Sequence, residues 1–316
     1  MRKILITGSL GQIGTELVKA LSAKFGADNV IASDIRERNN AFPENQYEQL
    51  DVMDYEKFEK IVIDNNVGEI YHLAALLSAT AEKHPLMGWD LNTKTLIFIL
   101  ELAKAGKIDK IFWPSSIAVF GRGAHKMMTG QEDVRNPLTM YGVAKMAGEN
   151  LCEYYFTKFG VDVRSIRYPG LISHSAPAGG GTTDYAVEIF HHALDKNAYT
   201  SYIDKHTYMP MLYMDDAIAG TLKLMYTEVD KVSVRTSYNL GCMSFNPEEL
   251  AAAIQRVRPD FQISYAPDFR QQIAESWPHS IDDTVARKDW GWQPQFTLNR
   301  MVEDMLMHLS SRSELA

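Results

Sequence analysis

The stretch KILITGSLGQIGTELVKAL, Lys3–Leu21, decides the fold. It opens on a short apolar run, closes with Leu17, Val18 and Leu21 on one helical face, and sets Gly8, Gly11 and Gly14 between the two. Strand, glycine turn and helix in that order let backbone N–H groups approach a pyrophosphate closely, and the helix N-terminus favours its charge. The same motif can also be a turn that merely packs a helix on a strand, so its surroundings have to decide.

Those surroundings repeat the pattern. The apolar runs NVIASD (29–34), EIYHLAA (69–75) and KIFWPSS (110–116) are each separated by a helix-length segment, which predicts βαβ units. Strands covered on both faces read as continuous apolar runs, and parallel strands need crossovers, so the expected class is α/β with a doubly wound parallel sheet. From Gly170 the texture shifts to glycine, serine and proline, and a smaller second lobe is expected there. Two later apolar stretches, Tyr208–Met225 and Thr236–Gly241, are expected to return to the sheet. The first unit is therefore drawn as residues 1–169 and about 212–243, and the second as 170–211 and 244–316.

Composition bounds the partners. With 46% hydrophobic residues in 316, the chain can bury a large core. A formal charge of −8 and the lack of any dense Lys/Arg run argue against nucleic acid and for a small-molecule ligand. Cys152 and Cys242 form no CxxC, and there is no HExxH, so neither a disulfide framework nor a metal site is expected. No apolar run approaches membrane-spanning length, and the chain opens directly on a strand; the expected location is the cytoplasm.

Three further signals bear on chemistry. Asp34 ends a strand twenty residues after Gly14, where a carboxylate can accept hydrogen bonds from an adenosine ribose and would repel a 2′-phosphate. Arg36 and Arg38 beside it pull toward NADP, but the carboxylate makes NAD the expected cofactor. Asp51 and Val52, after another short strand, are placed near the adenine. Tyr141 and Lys145 are four apart and share a helix face, so an ammonium can lower the phenol's pKa and make it a general base. Tyr154 and Lys158 repeat the spacing, but thirteen residues past Tyr141 they sit almost four turns from the helix start. Finally, Ser115 and Ser116 close a predicted strand at the carboxyl edge, where open α/β sheets bind ligands.

These residues resemble the short-chain dehydrogenase/reductase superfamily, in its extended, epimerase-like branch. The match rests on Gly8–Gly14 (including Gln12 and Ile13), Asp34, HLAA at 72–75, SSIAVFG at 115–121, Tyr141/Lys145 and RYPG at 167–170, in the family's order. The resemblance implies a Rossmann-like NAD site in which Leu73, Ala74, Ala75, Tyr168 and Pro169 contact the cofactor. It selects Ser116 over Ser115 to orient the substrate hydroxyl, with Tyr141 taking its proton and Lys145 binding the nicotinamide ribose. The superfamily often dimerises through the helix bearing Tyr141, so a homodimer is expected, with Met146, Leu151, Tyr154, Tyr155 and Phe159 available for contacts.

Within that branch, the stretches around 74–85, 179–190, 209–221, 275–283 and 286–292 are similar to the zinc-independent L-threonine 3-dehydrogenase group. That likeness implies NAD-dependent oxidation of the L-threonine 3-hydroxyl to 2-amino-3-ketobutyrate. An amino-acid substrate brings two charges that must both be met on leaving water. Glycines 179–181 with Thr182 and Thr183 can form a carboxylate cradle, or else a surface loop in which Thr183 or Asp184 caps the next helix. Ser78 is expected at the substrate's polar end and Trp277 over the pocket, while Trp290 and Trp292 are assigned to packing.

Overall fold

The computed structural model describes residues 1–175, 181–241 and 243–313. Its main sheet consists of β1 (Lys3–Thr7), β2 (Val30–Asp34), β3 (Gln46–Gln49), β4 (Val67–His72), β5 (Lys110–Phe112), β6 (Ser115–Ser116), β7 (Asp162–Arg164) and β8 (Ile166–Tyr168). The order of its first six-stranded part is β3-β2-β1-β4-β5-β7, all parallel. Phe112 pairs with Arg164 and Ser116 with Tyr168 at the same offset, so β6 and β8 continue the paths of β5 and β7 past a short break.

The strand order reverses between β1 and β4, which places a crevice beyond their carboxyl ends. The helix Gln12–Phe25 starts there. Gly8 has φ +69, and a Cβ on Gly14 would sit 2.3 Å from the Gly8 carbonyl oxygen, so the turn holds only with glycine at both positions. Leu17, Val18 and Leu21 bury fully against the sheet.

The remaining strands are β9 (Gly170–Ile172), β10 (Ala198–Ser201), β11 (Met209–Tyr213), β12 (Tyr238–Asn239), β13 (Met243–Phe245) and β14 (Gln262–Tyr265). Of the two stretches expected to rejoin the main sheet, Thr236–Gly241 does so, through β12 on the free edge of β8. Tyr208–Met225 does not. Its strand β11 instead stands between β9 and β13 in a separate three-stranded sheet, and its helix Met214–Met225 packs on the helix Gln12–Phe25. A parallel pairing to β9 and an antiparallel one to β13 satisfy β11 on both edges, which leaves it no edge to offer the main sheet. Trp290 and Trp292 are buried side by side under this layer, and Trp292 donates its indole N–H to Asp283 at 2.8 Å. Among the described residues, no helix is long and apolar enough to cross a membrane.

Candidate active site

One cleft of about 680 Å³ opens along the carboxyl edge of the sheet and runs from Asp34 to Trp277. Its walls contain every site residue read from the sequence: Gly8, Gly11–Gly14, Asp34, Asp51, Val52, Leu73–Ala75, Ser78, Ser116, Tyr141, Lys145, Tyr168, Pro169, Thr182, Thr183 and Trp277. Glycines 179 and 180 lie outside the described residues.

At one end the buried Asp34 carboxylate accepts the Leu10 backbone N–H at 3.0 Å and a two-pronged contact from Arg36, Nε at 2.9 Å and Nη2 at 3.1 Å. Burial alone would raise its pKa; the hydrogen bonds from Arg36 and Leu10 outweigh burial and hold it below the ordinary aspartate value. Arg38 is turned away, its Nη2 shared by the carbonyls of Phe42, Pro43 and Asn45. Next to the glycine turn, the Gln12 amide Nε2 is buried with no hydrogen-bond partner among the described residues. A buried amide N–H₂ calls for an acceptor, and a dinucleotide's phosphates supply one at a helix N-terminus. The chain's own residues therefore fit an adenine dinucleotide.

At the middle of the cleft, alternation along β6 sends its two serines to opposite sides. Ser115 donates to the fully buried Glu149 at 2.7 Å, whereas the Ser116 hydroxyl accepts the Ala118 N–H at 3.2 Å and lines the cleft together with Tyr141. Tyr141 lies in the first turn of the helix Met140–Phe159, which Thr139 caps by accepting the Gly142 N–H at 3.1 Å. Lys145, one turn on and 2% exposed, donates to the Pro114 carbonyl at 2.6 Å, with its Nζ 4.4 Å from the centre of the Trp113 ring and 5.6 Å from that of Tyr141. Burial pushes the Tyr141 phenol up to about 12, and the neighbouring Ser116 hydroxyl only partly opposes it; burial pushes Lys145 down to about 7. Tyr154 is exposed on the far part of the helix, away from the cleft.

His72, which begins the HLAA run, is buried out of reach of ligand. Its ring nitrogens contact Thr7 Oγ1 and Thr95 Oγ1, each at 2.8 Å, and burial, with a minor contribution from Lys145, lowers its pKa to about 3. It is a neutral strut between β4 and the helix behind it.

At the other end, the Ser78 hydroxyl meets the Thr182 hydroxyl at 3.4 Å, both buried. Trp277 is 5% exposed yet lines the cleft, and its carbonyl accepts from Lys126 Nζ at 2.9 Å. Asp184 differs from the capping role open to it in the sequence. It precedes the helix Tyr185–Asp195 without any side-chain cap; its carboxylate folds back to accept the Gly181 N–H at 2.7 Å and contributes to the cleft wall. Sequence reasoning missed it as a site residue. The signal was present all the same, an acid directly after two threonines in a loop meant to hold a zwitterion.

Residues 4–241 match the NAD dependent epimerase/dehydratase family. An uncharacterized epimerase/dehydratase of Staphylococcus haemolyticus is 51% identical over 99% of both chains. Among solved structures, the holo form of a GalE-like L-threonine dehydrogenase from Cupriavidus necator is 49% identical, with a TM-score of 0.95 over 97% of this chain and 99% of that one. An L-threonine dehydrogenase from Clostridium difficile is 48% identical, with a TM-score of 0.95 over 99% and 98%.

Proposed function

The chain belongs to the NAD dependent epimerase/dehydratase family, and on that premise we propose that it oxidises L-threonine at its 3-hydroxyl with NAD, giving 2-amino-3-ketobutyrate. The observation that carries the reading is that Ser116, Tyr141 and the buried Lys145 line one cleft, with Ser78, Thr182, Thr183 and Asp184 in the same wall. Similarity to L-threonine dehydrogenases over nearly the whole chain supports it.

In this reading Gly8, Gly11–Gly14 and Gln12 hold the cofactor's pyrophosphate, and Asp34 takes its adenosine ribose. Asp51 and Val52 flank the adenine, while Leu73–Ala75, Tyr168, Pro169 and Lys145 line the nicotinamide end. NAD, when bound, supplies the hydride acceptor for the hydrogen on C3. Ser116 Oγ holds the substrate hydroxyl, and the Tyr141 oxygen takes its proton. The phenolate form of Tyr141 that accepts this proton is stabilised beforehand by the ammonium of Lys145, and the proton transfer leaves Tyr141 as the neutral phenol. Ser78, Thr182 and Thr183 offer hydroxyl and N–H donors to the substrate carboxylate, Asp184 offers an acidic group at that end of the cleft wall to the substrate ammonium, and Trp277 covers the pocket.

Two substitutions separate the ends of the cleft. Asp34→Asn removes a charge-assisted acceptor worth about 1.5–3 kcal/mol; the KM for NAD should rise roughly tenfold to a hundredfold. Because Arg36 is thereby freed, discrimination against NADP should shrink as well. An unchanged KM for NAD would remove Asp34 from cofactor binding. Asp184→Asn still offers an oxygen to the Gly181 N–H but lacks the charge. KM for L-threonine should then rise at least about tenfold while NAD affinity stays put, and equal effects on both ligands would mean that the loop was merely misfolded.

We assign residues 1–169 and about 212–243 to the cofactor unit and 170–211 and 244–316 to the substrate lobe; the packing of Met214–Met225 on Gln12–Phe25 and of β12 on β8 supports the first, and residues 181–184 with Trp277 in the cleft wall support the second. A homodimer is also proposed: Tyr154 and Phe159 on the helix Met140–Phe159 are exposed, as are Leu86 and Ile97 on neighbouring helices. Tyr155, expected among these contacts, packs inward instead. The cytoplasm is the proposed location. The substrate assignment is tested by NADH formation with L-threonine, D-threonine, L-serine and a nucleotide-sugar in parallel; threonine should be preferred, and a preference for the nucleotide-sugar would overturn it.

A further inference from the structure

Away from the cleft, three side chains converge where the second sheet meets the C-terminal helix. His174 lies two residues beyond the end of β9, while Asp304 and His308 stand four apart on the helix Leu298–Ser313 and so share one face. One ligand atom from each falls within 4.8 Å of the others, and all three residues are half-buried. Two ligand atoms on one tetrahedral zinc ion stand roughly 3.4 Å apart. Side-chain rotation that draws the three atoms together by up to about 1.4 Å closes the set on one ion.

The surroundings favour a cation. The His174 and His308 rings stack with centroids 4.1 Å apart and planes 10° from parallel, so their lone pairs run side by side and one ring must turn for both to face a single ion. A His308 ring nitrogen contacts the Asp304 carbonyl at 3.0 Å and Tyr213 donates its hydroxyl to the Asp304 carboxylate, the kind of outer hydrogen bonding that orients metal ligands. Glu16 interacts electrostatically with His174, and Asp215 with both Asp304 and His308, so further negative charge faces the same point.

We propose that His174, Asp304 and His308 form a binding site for a divalent transition cation of the zinc or cobalt class. Imidazole nitrogen with one carboxylate oxygen suits such ions, and magnesium or calcium would demand more oxygen ligands. None of the three residues lines the cleft, so the ion's part is to fasten the chain after β9 to the C-terminal helix. The inference does not rest on the substrate reading, and turnover is not its readout.

The test is a titration of the chelator-stripped full chain with Co²⁺, followed by the visible absorption of the bound ion and by Tm. One equivalent should bind saturably and raise Tm, Zn²⁺ should displace it, and binding should weaken as pH falls through the histidine range. His308→Ala, and independently Asp304→Asn, should each weaken Co²⁺ binding more than about tenfold, since even loss of an outer partner costs that much. Circular dichroism and NAD binding check that both variants fold. Absence of a saturable signal in the wild type, or equal binding in wild type and both folded variants, would overturn the site.

Discussion

Tyr141→Phe should lower kcat/KM for L-threonine by about 10²–10⁴-fold, the usual contribution of a positioned base, while NAD still binds. The substitution removes one oxygen, the proton-accepting atom, and leaves the ring in the cleft wall. Steady-state NADH formation and NAD binding, measured on the same preparation, check it; near-normal turnover would strip Tyr141 of its role. The pH profile gives a second view of the same group. With Tyr141 pushed up to about 12 and Lys145 down to about 7, the first proton to leave the pair does so near neutrality. The phenolate–ammonium arrangement needed for catalysis holds the same number of protons as the neutral phenol–amine arrangement, so it too appears only after that first loss. Thus kcat/KM should rise with pH through about 7 and then level off. Lys145→Ala should move the rising limb toward alkaline pH, where a lone buried phenol ionises. A profile that falls across neutrality, or a limb that stays in place in the lysine variant, would contradict the coupling.

Glu149→Ala should be the most damaging change outside the cleft. Its carboxylate is fully buried and accepts from Ser115, from Arg167 through both Nε (2.8 Å) and Nη2 (2.9 Å), and from Arg135 at 2.8 Å. Through these contacts one helix residue ties β6, which carries Ser116, to β8, which carries Tyr168. Removing it strands the Arg167 guanidinium, 1% exposed, without its counter-charge. A broken buried pair costs about 3–5 kcal/mol, which in a chain of this size lowers Tm on the order of 10 °C. Arg167→Met placed on top of Glu149→Ala should recover part of the loss, because no buried guanidinium is then left without its counter-charge. A single variant as stable as wild type, by thermal unfolding, would show that the network is not holding the strands.

How far the sequence reached can be seen element by element. The βαβ half was legible because buried parallel strands are continuous apolar runs and the glycine turn has few other uses: β1, β2 and β5 fall within the quoted runs, and β4 overlaps its run but begins two residues earlier, at Val67. Residues 209–213 were harder. A short apolar run has the same pattern whether it joins one sheet or another, and the partner strands β9 and β13 that captured it are only three residues each. In the site, the spacing of Tyr141 and Lys145 could not by itself exclude Tyr154 and Lys158. What separates the pairs is the cap at Thr139, which starts the helix beside β6. Ser115 and Ser116 differ only by the side of the strand they face, and a two-residue strand has no period to read. Asp184 escaped because an acid after two threonines fits a helix cap, and only the fold reveals that its carboxylate turns back to Gly181. Glu149 and Arg167 were unreadable as a pair, since nothing local links a helix residue to a strand eighteen positions later.

The central claim is that hydrogen leaves C3 of L-threonine as hydride while Tyr141 takes the hydroxyl proton. L-threonine deuterated at C3, incubated with the protein and NAD, tests this most directly through the mass of the reduced cofactor. The account predicts NADH carrying one deuterium from substrate, formed more slowly than from unlabelled L-threonine if hydride transfer limits the rate. Reduced cofactor without deuterium, or no reduction by a protein that binds both ligands, would contradict it.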